Sequence, residues 1–480
     1  MQVRFSNGDV EQYEDTFRGG GLQGDIYWPA KPGGYAKGER PSHVVKLYKY
    51  DPSKTAQIRL LEERVDKLIK DYNPTTSDSY WREFFAWPEK KVTSPRIGFR
   101  MPWADRMRRM DEYIYDFPAY WEDFKPEERG WFIGRLVIAM KLALAADRLA
   151  RMGLCYADFS HRNVMVDPFE GRMMLIDCDA LTIPGVIPPD VAGTKGYQAP
   201  EIVAHNAPPR IETDRHALAA LFYRWFLGHL PLEGDHPMYS LDDNEDYRSQ
   251  FGDKAIYIEN PTDDSNRWKR QIYHASILGP ELADLFRDTF VDGLLVPNKR
   301  PQPRRWADAL MHAYDRVIPC ASPKCDWRFF IAYPRPGLAC PMCGESVTAV
   351  KSLPRIFIQK HKTTTTPDDY EENTSGQHFV VGWPGRSLYD WHIRNLSPFH
   401  ADNKEPDRAP RAAFEYSAAK DSWFITNESG LVMRFRHEDS APWEYWATGA
   451  RLKIHDNMRI QFGDTPAHNR ALVKIDRLNP

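Results

Sequence analysis

The 480-residue chain carries 64 Lys and Arg against 67 Asp and Glu, a formal net charge of −3, and is 42% hydrophobic and 13% aromatic. At about 150 residues per domain that length supports roughly three domains with buried cores, and the aromatic content excludes a disordered chain. The charge balance argues against a protein whose main task is coating nucleic acid or an anionic membrane.

The longest apolar stretches, residues 136–146 and 217–227, each hold a basic residue. They fall well short of the ~18 apolar residues of a membrane span. The N-terminus is acidic and polar, with no secretory apolar region, and six cysteines are sparse for a disulfide scaffold. The expectation is a soluble, cytoplasmic, multidomain protein with no nucleic-acid and no membrane partner.

In chain order, Gly19-x-Gly21-x-x-Gly24 precedes a strand-like run from Gly24, and His43 to Tyr48 reads as a second strand carrying Lys46. Residues 56–70 have a helical pattern with Glu62, Glu63 and Asp66 on it. Residues 131–152 are apolar on much of their circumference and stop at Gly153, so they predict a buried helix. Residues 164–166 and 173–176 are short apolar runs joined by a turn, a hairpin signal. A further helix is predicted over 214–228, with Thr213 as N-cap and Gly228 as its stop. Residues 318–350 hold two cysteine pairs, 362–377 read as a polar linker, and 378–381, 422–426 and 459–462 read as short strands of a small β-domain.

Some of these residues bear chemistry. Glycines spaced as in 19–24 let backbone N–H groups approach phosphates, although a lone glycine-rich turn is a weak signal. Lys46 alone reads as an edge-strand lysine. Asp158 and Asn163 share one segment, and Asp177 follows fourteen residues after Asn163. A carboxylate beside an attacking hydroxyl, plus oxygen ligands for Mg²⁺, is what phosphoryl transfer needs. Ala199-Pro200-Glu201, Asp214 and Arg300 follow in order.

This order and spacing resembles a protein kinase over residues 1–317. The resemblance implies that Gly19, Gly21 and Gly24 form the glycine loop and that Lys46 holds the α/β-phosphates of ATP. It implies that Asp158 is the catalytic aspartate and that Asn163 and Asp177 hold Mg²⁺ or Mn²⁺. It also implies that Asp214 braces the catalytic loop and Arg300 pairs with Glu201. Glu63 is taken as the carboxylate partner of Lys46, and backbone near Met101 and Trp103 as the adenine-binding hinge. The implied N-lobe spans about 1–100 and the C-lobe about 104–317. The Thr194-x-x-Tyr197-x-Ala-Pro-Glu arrangement is similar to that of Ser/Thr kinases, so the implied substrates are Ser and Thr hydroxyls of proteins. Because every metal ligand, the lysine and the catalytic aspartate survive, an active enzyme is favoured over a pseudokinase scaffold.

Three positions depart from the family. Tyr156-Ala157 stands before Asp158 in place of His-Arg, which leaves no partner there for a phosphate on the activation segment. That segment offers only Thr182 and Thr194 as hydroxyl-bearing Ser/Thr, so activity without activation-loop phosphorylation is expected. Ser160 replaces the usual lysine, with His161 or Arg162 as candidate sources of the missing charge. Asp179 stands where the family has glycine, either as a third metal carboxylate or as a polar surface residue.

Cys320-x₄-Cys325 and Cys340-x₂-Cys343 are separated by fourteen residues. Two close thiolate pairs suit a closed, tetrahedral, structural Zn²⁺ site of the zinc-ribbon kind. Cys155 and Cys178 read as buried packing residues. Residues 351–480, through Gly385-Arg386-Ser387 and the runs at 423–430 and 459–463, resemble a forkhead-associated (FHA) β-sandwich. The Ser-Arg-x-His stretch of that family is missing, and Arg408 and Arg411 fall nearby without matching it. The threonines at 363–366 read as a solvated linker or as autophosphorylation sites. The implied fold class is thus multidomain: an α+β bilobal kinase-like fold over 1–317, a zinc ribbon over 318–350 and an all-β FHA-like domain over 351–480. The combination resembles bacterial kinases of the tellurium-resistance-associated kind, which implies a PP2C-type phosphatase and a von Willebrand factor A-like protein as partners.

Overall fold

A computed structural model describes residues 1–20, 23–76, 79–114, 130–189, 192–235, 242–362, 370, 378–394, 407–465 and 467–479. It divides into two compact units. The first comprises Met1–Gly130, Val137–His274 and Asp284–Ala307; the second comprises Trp131–Leu136, Ala275–Ala283 and Asp308–Pro480. Among the described residues no helix is long and apolar enough to cross a membrane.

The first unit opens with strands β1 (Gln2–Phe5), β2 (Val10–Gln12), β3 (Gly19–Gly20), β4 (Gly24–Tyr27) and β5 (His43–Tyr48), followed by helix α1 (Thr55–Lys70), β6 (Lys90–Ser94) and β7 (Gly98–Pro102). The strands make one seven-stranded sheet in the order β2-β1-β6-β7-β5-β4-β3. β5 lies between β7 and β4, and five of its six residues are buried. A run as apolar as His43-Val-Val-Lys-Leu-Tyr48 belongs in a sheet interior covered on both faces. Lys46 is therefore on an inner strand, not on an edge. α1 covers one face with Val65, flanked by Ile58, Leu61 and Ile69, against a core that includes Val44, Tyr48 and Phe99.

The rest of the first unit is mainly helical around a three-stranded sheet. β8 (Arg108–Arg109) pairs with β9 (Val164–Asp167), which forms a hairpin with β10 (Arg172–Leu175). Helix α2 (Trp131–Arg151) ends before Gly153, whose φ of 72° is the left-handed conformation glycine adopts without strain. α3 (Pro200–Val203) precedes α4 (Ile211–Leu227), which begins earlier than the sequence predicts. Its N-cap is Arg210, and Thr213 serves from inside the first turn, its Oγ1 accepting the Arg210 N–H at 2.9 Å. Almost all of α4 is buried, and Gly228 stops it at a φ of 85°. Helix α5 (Asp243–Phe251) completes the set within the first unit, while α6 (Pro280–Arg287) and α7 (Pro303–Asp315) each have residues in both units.

In the second unit, β11 (Val317–Pro319) and β12 (Phe329–Ile331) form a small hairpin beside the cysteines. The remaining strands are β13 (Ser352–Gln359), β14 (Phe379–Val381), β15 (Ser387–Leu388), β16 (Ala412–Ser417), β17 (Ser422–Asn427), β18 (Met433–Arg436), β19 (Glu444–Trp446), β20 (Arg451–Ile454), β21 (Arg459–Gln461) and β22 (Arg470–Arg477), with the short helix α8 (Asp390–Ile393) after β15. They build a six-stranded sheet, β14-β13-β22-β21-β18-β19, and a four-stranded sheet, β15-β16-β17-β20. One bond links the two sheets: the Trp423 indole N–H on β17 donates to Ser352 O on β13 at 3.1 Å. The linker threonines at 363–366 lie outside the described residues.

One buried ion pair ties α3 to the loop before α7. Arg300, its side chain fully buried, meets both carboxylate oxygens of Glu201 at 2.8 Å and also donates to the main-chain oxygens of Gly293, Glu212 and Leu294. Removing Arg300 leaves the Glu201 charge and three carbonyls without their donor. Arg300→Ala is expected to lower unfolding free energy by about 3–5 kcal/mol, measured by urea denaturation. A loss within the noise of a surface Arg→Ala control would contradict this account.

Candidate active site and cysteine cluster

The inner strand β5 carries Lys46, 5% exposed, towards the end of β10. Its Nζ lies 3.1 Å from Asp177 Oδ1, and 2.8 and 3.1 Å from the two oxygens of Asp179. Burial alone would push the ammonium down, but the Asp179 and Asp177 carboxylates outweigh it and hold its pKa above the ordinary value. Asp177 adopts a left-handed φ of 54°, a conformation Asp tolerates better than most residues, and the single turn Cys178–Ala180 follows. That turn sends the carboxylates of residues 177 and 179 to the same ammonium.

Asp179 is 3% exposed and its Oδ2 also accepts the Tyr48 hydroxyl at 2.8 Å, so it is neither a surface residue nor open to solvent. The glutamate chosen from the sequence is placed elsewhere: Glu63 is exposed on α1, and Lys46 pairs instead with Asp177 and Asp179. Glu62 and Asp66 face Lys91, at 4.0 and 2.8 Å. The buried face of α1 presents Arg64, whose guanidinium donates to the main-chain oxygens of Asp179 (3.2 Å), Leu181 (3.3 Å) and Pro188 (2.8 Å).

Asp158 and Asn163 come together on the loop before β9. Asn163 Nδ2 donates to Asp158 Oδ2 at 2.7 Å and to Asp158 O at 3.0 Å, while Asp158 Oδ1 accepts the Thr194 N–H at 2.7 Å. The Ile176 N–H donates to Asn163 O at 3.0 Å, which links this loop to the end of β10. Asp214, buried in α4, accepts the N–H groups of Tyr156 (2.6 Å) and Ala157 (2.9 Å). Burial pushes its carboxyl up to about 7 against the pull of those two donors. Ala157 has a φ of 68°, a strained value for alanine that such fixed bonds hold in place.

Of the glycines, Gly19 lies in β3 and Gly24 opens β4; Gly21 lies outside the described residues. A Cβ on Gly24 would stand 2.9 Å from Leu47 O and 3.2 Å from Lys46 Cγ, so glycine is needed there for the lysine stem to pass. Met101 sits in β7 opposite Val44, and the Trp103 backbone N–H is given to Ser42 O at 3.1 Å.

The departures from the family pattern take definite positions. Ser160 is fully buried, with its Oγ 3.3 Å from Thr194 Oγ1. His161 does not supply a positive charge. It is 3% exposed, its Nδ1 pairs with the Tyr197 hydroxyl at 2.7 Å, and burial together with Arg224, Arg162 and Arg109 pulls its pKa down to about 3. Arg162 is exposed. Thr182 is 2% exposed and spends its hydroxyl on Ile187 O at 2.6 Å, which removes it as an accessible modification site.

The His161 shift has a consequence for stability. An unfolded histidine protonates near pH 6.5, whereas this one resists until about pH 3. As pH falls through that window the unfolded chain takes up a proton that the fold refuses, so stability is lost. Relative to His161→Gln, the wild type is expected to lose up to about 1.4 kcal/mol per pH unit below pH ~6.5, read from thermal or urea unfolding across that range. Parallel pH profiles would contradict it.

The four cysteines of the second unit converge. Cys320 and Cys343 Sγ are 3.5 Å apart, Cys325 and Cys340 Sγ 3.9 Å, and all four sulfurs lie within 4.8 Å of one another. Four sulfurs at about 2.3 Å from one tetrahedral ion would be about 3.8 Å apart, so the set fits Zn²⁺ and leaves no open position for substrate. Protein purified without chelator is expected to contain about one zinc per chain, lost on Cys340→Ser together with thermal stability. Absence of zinc by elemental analysis would contradict the fit.

Asp315, His378 and His392 form a second cluster. Asp315 Oδ2 lies 2.6 Å from His378 Nε2, and Oδ1 lies 3.1 Å from His392 Nε2. His392 Nδ1 accepts the Tyr389 N–H at 2.9 Å. As arranged, the Asp315 carboxylate is hydrogen-bonded to His378 and flanked by the His392 ring. Arg386, the arginine singled out for the FHA resemblance, donates to Asp315 O at 2.6 Å and to Val317 O. Arg408 is exposed, and Arg411 pairs with Asp407 at 2.6 Å.

No family model matches the chain, and no curated protein matches it. Among solved structures, it is similar to ROP2 from Toxoplasma gondii, described as a virulence factor with a protein-kinase fold and no enzymatic activity. The identity is 14%, the match covers 64% of this chain and 81% of that one, and the TM-score is 0.41. The functional reading therefore rests on the geometry above.

Proposed function

We propose that the first unit is an ATP-dependent protein kinase acting on Ser/Thr hydroxyls. The observation that carries this reading is the meeting of Lys46 with Asp177, 131 residues apart in sequence, beside a loop that joins Asp158 to Asn163. Lys46 is the cation for the α/β-phosphates. Asp158, fixed by Asn163 and the Thr194 N–H, orients the substrate hydroxyl and accepts its proton as the hydroxyl oxygen bonds to the γ-phosphorus and the bond to the β–γ bridging oxygen breaks, releasing ADP. Asp177 engages Lys46 through Oδ1, and among the described residues Asp177 Oδ2 and Asn163 Oδ1 have no protein partner, which suits them to hold Mg²⁺ or Mn²⁺. When bound, that ion neutralises charge on the phosphates. The glycine loop closes over the phosphates through backbone N–H groups, and the buried Thr182 favours activity without activation-loop phosphorylation.

The cysteine cluster supports a structural zinc ribbon over 318–350, and the two antiparallel sheets support an FHA-like domain over 351–480 that recruits substrate or partner. A role in bacterial tellurium-resistance-type signalling beside a PP2C-type phosphatase and a von Willebrand factor A-like protein rests on the sequence resemblance alone. The competing reading is an ATP-binding scaffold without turnover.

The test is transfer from γ-labelled ATP, with Mg²⁺ or Mn²⁺, to the chain itself or a generic protein acceptor. Asp158→Ala is expected to reduce label about 100-fold or more while ATP binding persists. Binding of ATP by the wild type with no transfer, also in the presence of a candidate partner, would replace the enzyme with the scaffold.

A further inference from the structure

We propose that Asp179, and not a carboxylate of α1, is the positioning residue for Lys46, and that α1 fastens the segment after Asp177 through Arg64 instead. The inference rests on the kinase reading for its catalytic meaning, but its geometry stands independently. All three polar contacts of the lysine Nζ go to residues 177 and 179, two of them to Asp179. The Asp179 side chain is 2% exposed against 50% for Asp177, and a third donor, the Tyr48 hydroxyl, holds it in place. Asp179 is thus the fixed half of the pair and Asp177 the half that faces solvent and a ligand.

The side of α1 that could compete is occupied otherwise. Glu63 is exposed and lines a cavity of about 400 Å³ together with Tyr48, Leu60, Arg64 and Asp179. Arg64 crosses to the main-chain oxygens of residues 179, 181 and 188. A charge-assisted bond to three carbonyls makes α1 a clasp on the segment. Rigid placement of Lys46 then depends on a residue two positions after Asp177 and is indifferent to the α1 glutamates.

The experiment maps acylation of Lys46 by acetic anhydride at one pH, normalised to the exposed Lys54, in Asp179→Asn, Tyr48→Phe, Glu63→Gln and Cys178→Ala. Cys178→Ala loosens packing beside the same segment without removing a partner of Lys46, and so separates positioning from general destabilisation. Asp179→Asn is expected to raise Lys46 labelling about tenfold, and Tyr48→Phe to raise it less. Glu63→Gln and Cys178→Ala are expected to stay within about twofold. Glu63→Gln matching Asp179→Asn, or Cys178→Ala matching it, would overturn the assignment. In the phosphoryl-transfer assay, Asp179→Asn is expected to raise KM for ATP and lower kcat/KM about 100-fold, with Glu63→Gln near wild type. Absence of transfer by every protein would sink the kinase reading, and the labelling would still decide between Asp179 and Glu63.

Discussion

Everything around the candidate site depends on one buried ammonium. Moving a lysine charge out of water costs several kcal/mol unless opposite charge meets it. Lys46 has three N–H donors, and all three are satisfied by Asp177 and Asp179. A phosphate can be taken up by this lysine only if one of those bonds is given over. The half-exposed Asp177 can rearrange with a ligand; the enclosed Asp179, held additionally by Tyr48, cannot do so without a wider opening. The asymmetry between two neighbouring carboxylates thereby lets one ammonium be both fixed and available.

The irregular backbone near that ammonium is sustained by charges placed away from it. Loops with left-handed Ala157 and Asp177 cannot satisfy their own polar groups by helix or sheet ladders. Asp214 reaches from α4 to the N–H groups of Tyr156 and Ala157, and Arg64 reaches from α1 to three carbonyls of the following segment. Arg300 does the same for the loop before α7 while pairing with Glu201. Asp214 and Arg64 project from packed helices, so the strained loops at 157 and 177 are held by helix-borne side chains, whereas Arg300 ties its own loop to Glu201 and Glu212.

What was legible in the sequence follows from range. Motifs whose partners lie a few residues apart, such as Asp158 with Asn163 or the 164–175 hairpin, can be read from spacing because local geometry fixes them. The partner of Lys46 could not. Glu62, Glu63, Arg64 and Asp66 follow one another on α1, and a small rotation of the helix decides which faces inward; the carbonyls of 179, 181 and 188 decided for Arg64. His161 looked like a source of charge because sequence does not show that it would be enclosed beside Tyr197 and three arginines. In the second unit, Pro354 interrupts the strand signal of β13, yet β13 pairs along its whole length with β22, a partner more than a hundred residues away. A proline is tolerated in a strand when its missing N–H falls outside the ladder.

The second unit shows how a resemblance in sequence can carry a residue type without its chemistry. An arginine that reads a phosphate must hold N–H groups free for the anion. Arg386 instead closes the end of α7 by donating to Asp315 O and Val317 O, and the Asp315 side chain is clamped by His378 and His392. A phosphate at Arg386 would have to displace both carbonyls, which would then be left without the donor they now have. Recognition there would be coupled to opening residues 315–317, with the cost of exposing a buried carboxylate that His378 and the buried His392 now flank. That is a different physics from docking into a preformed pocket with its donors already free.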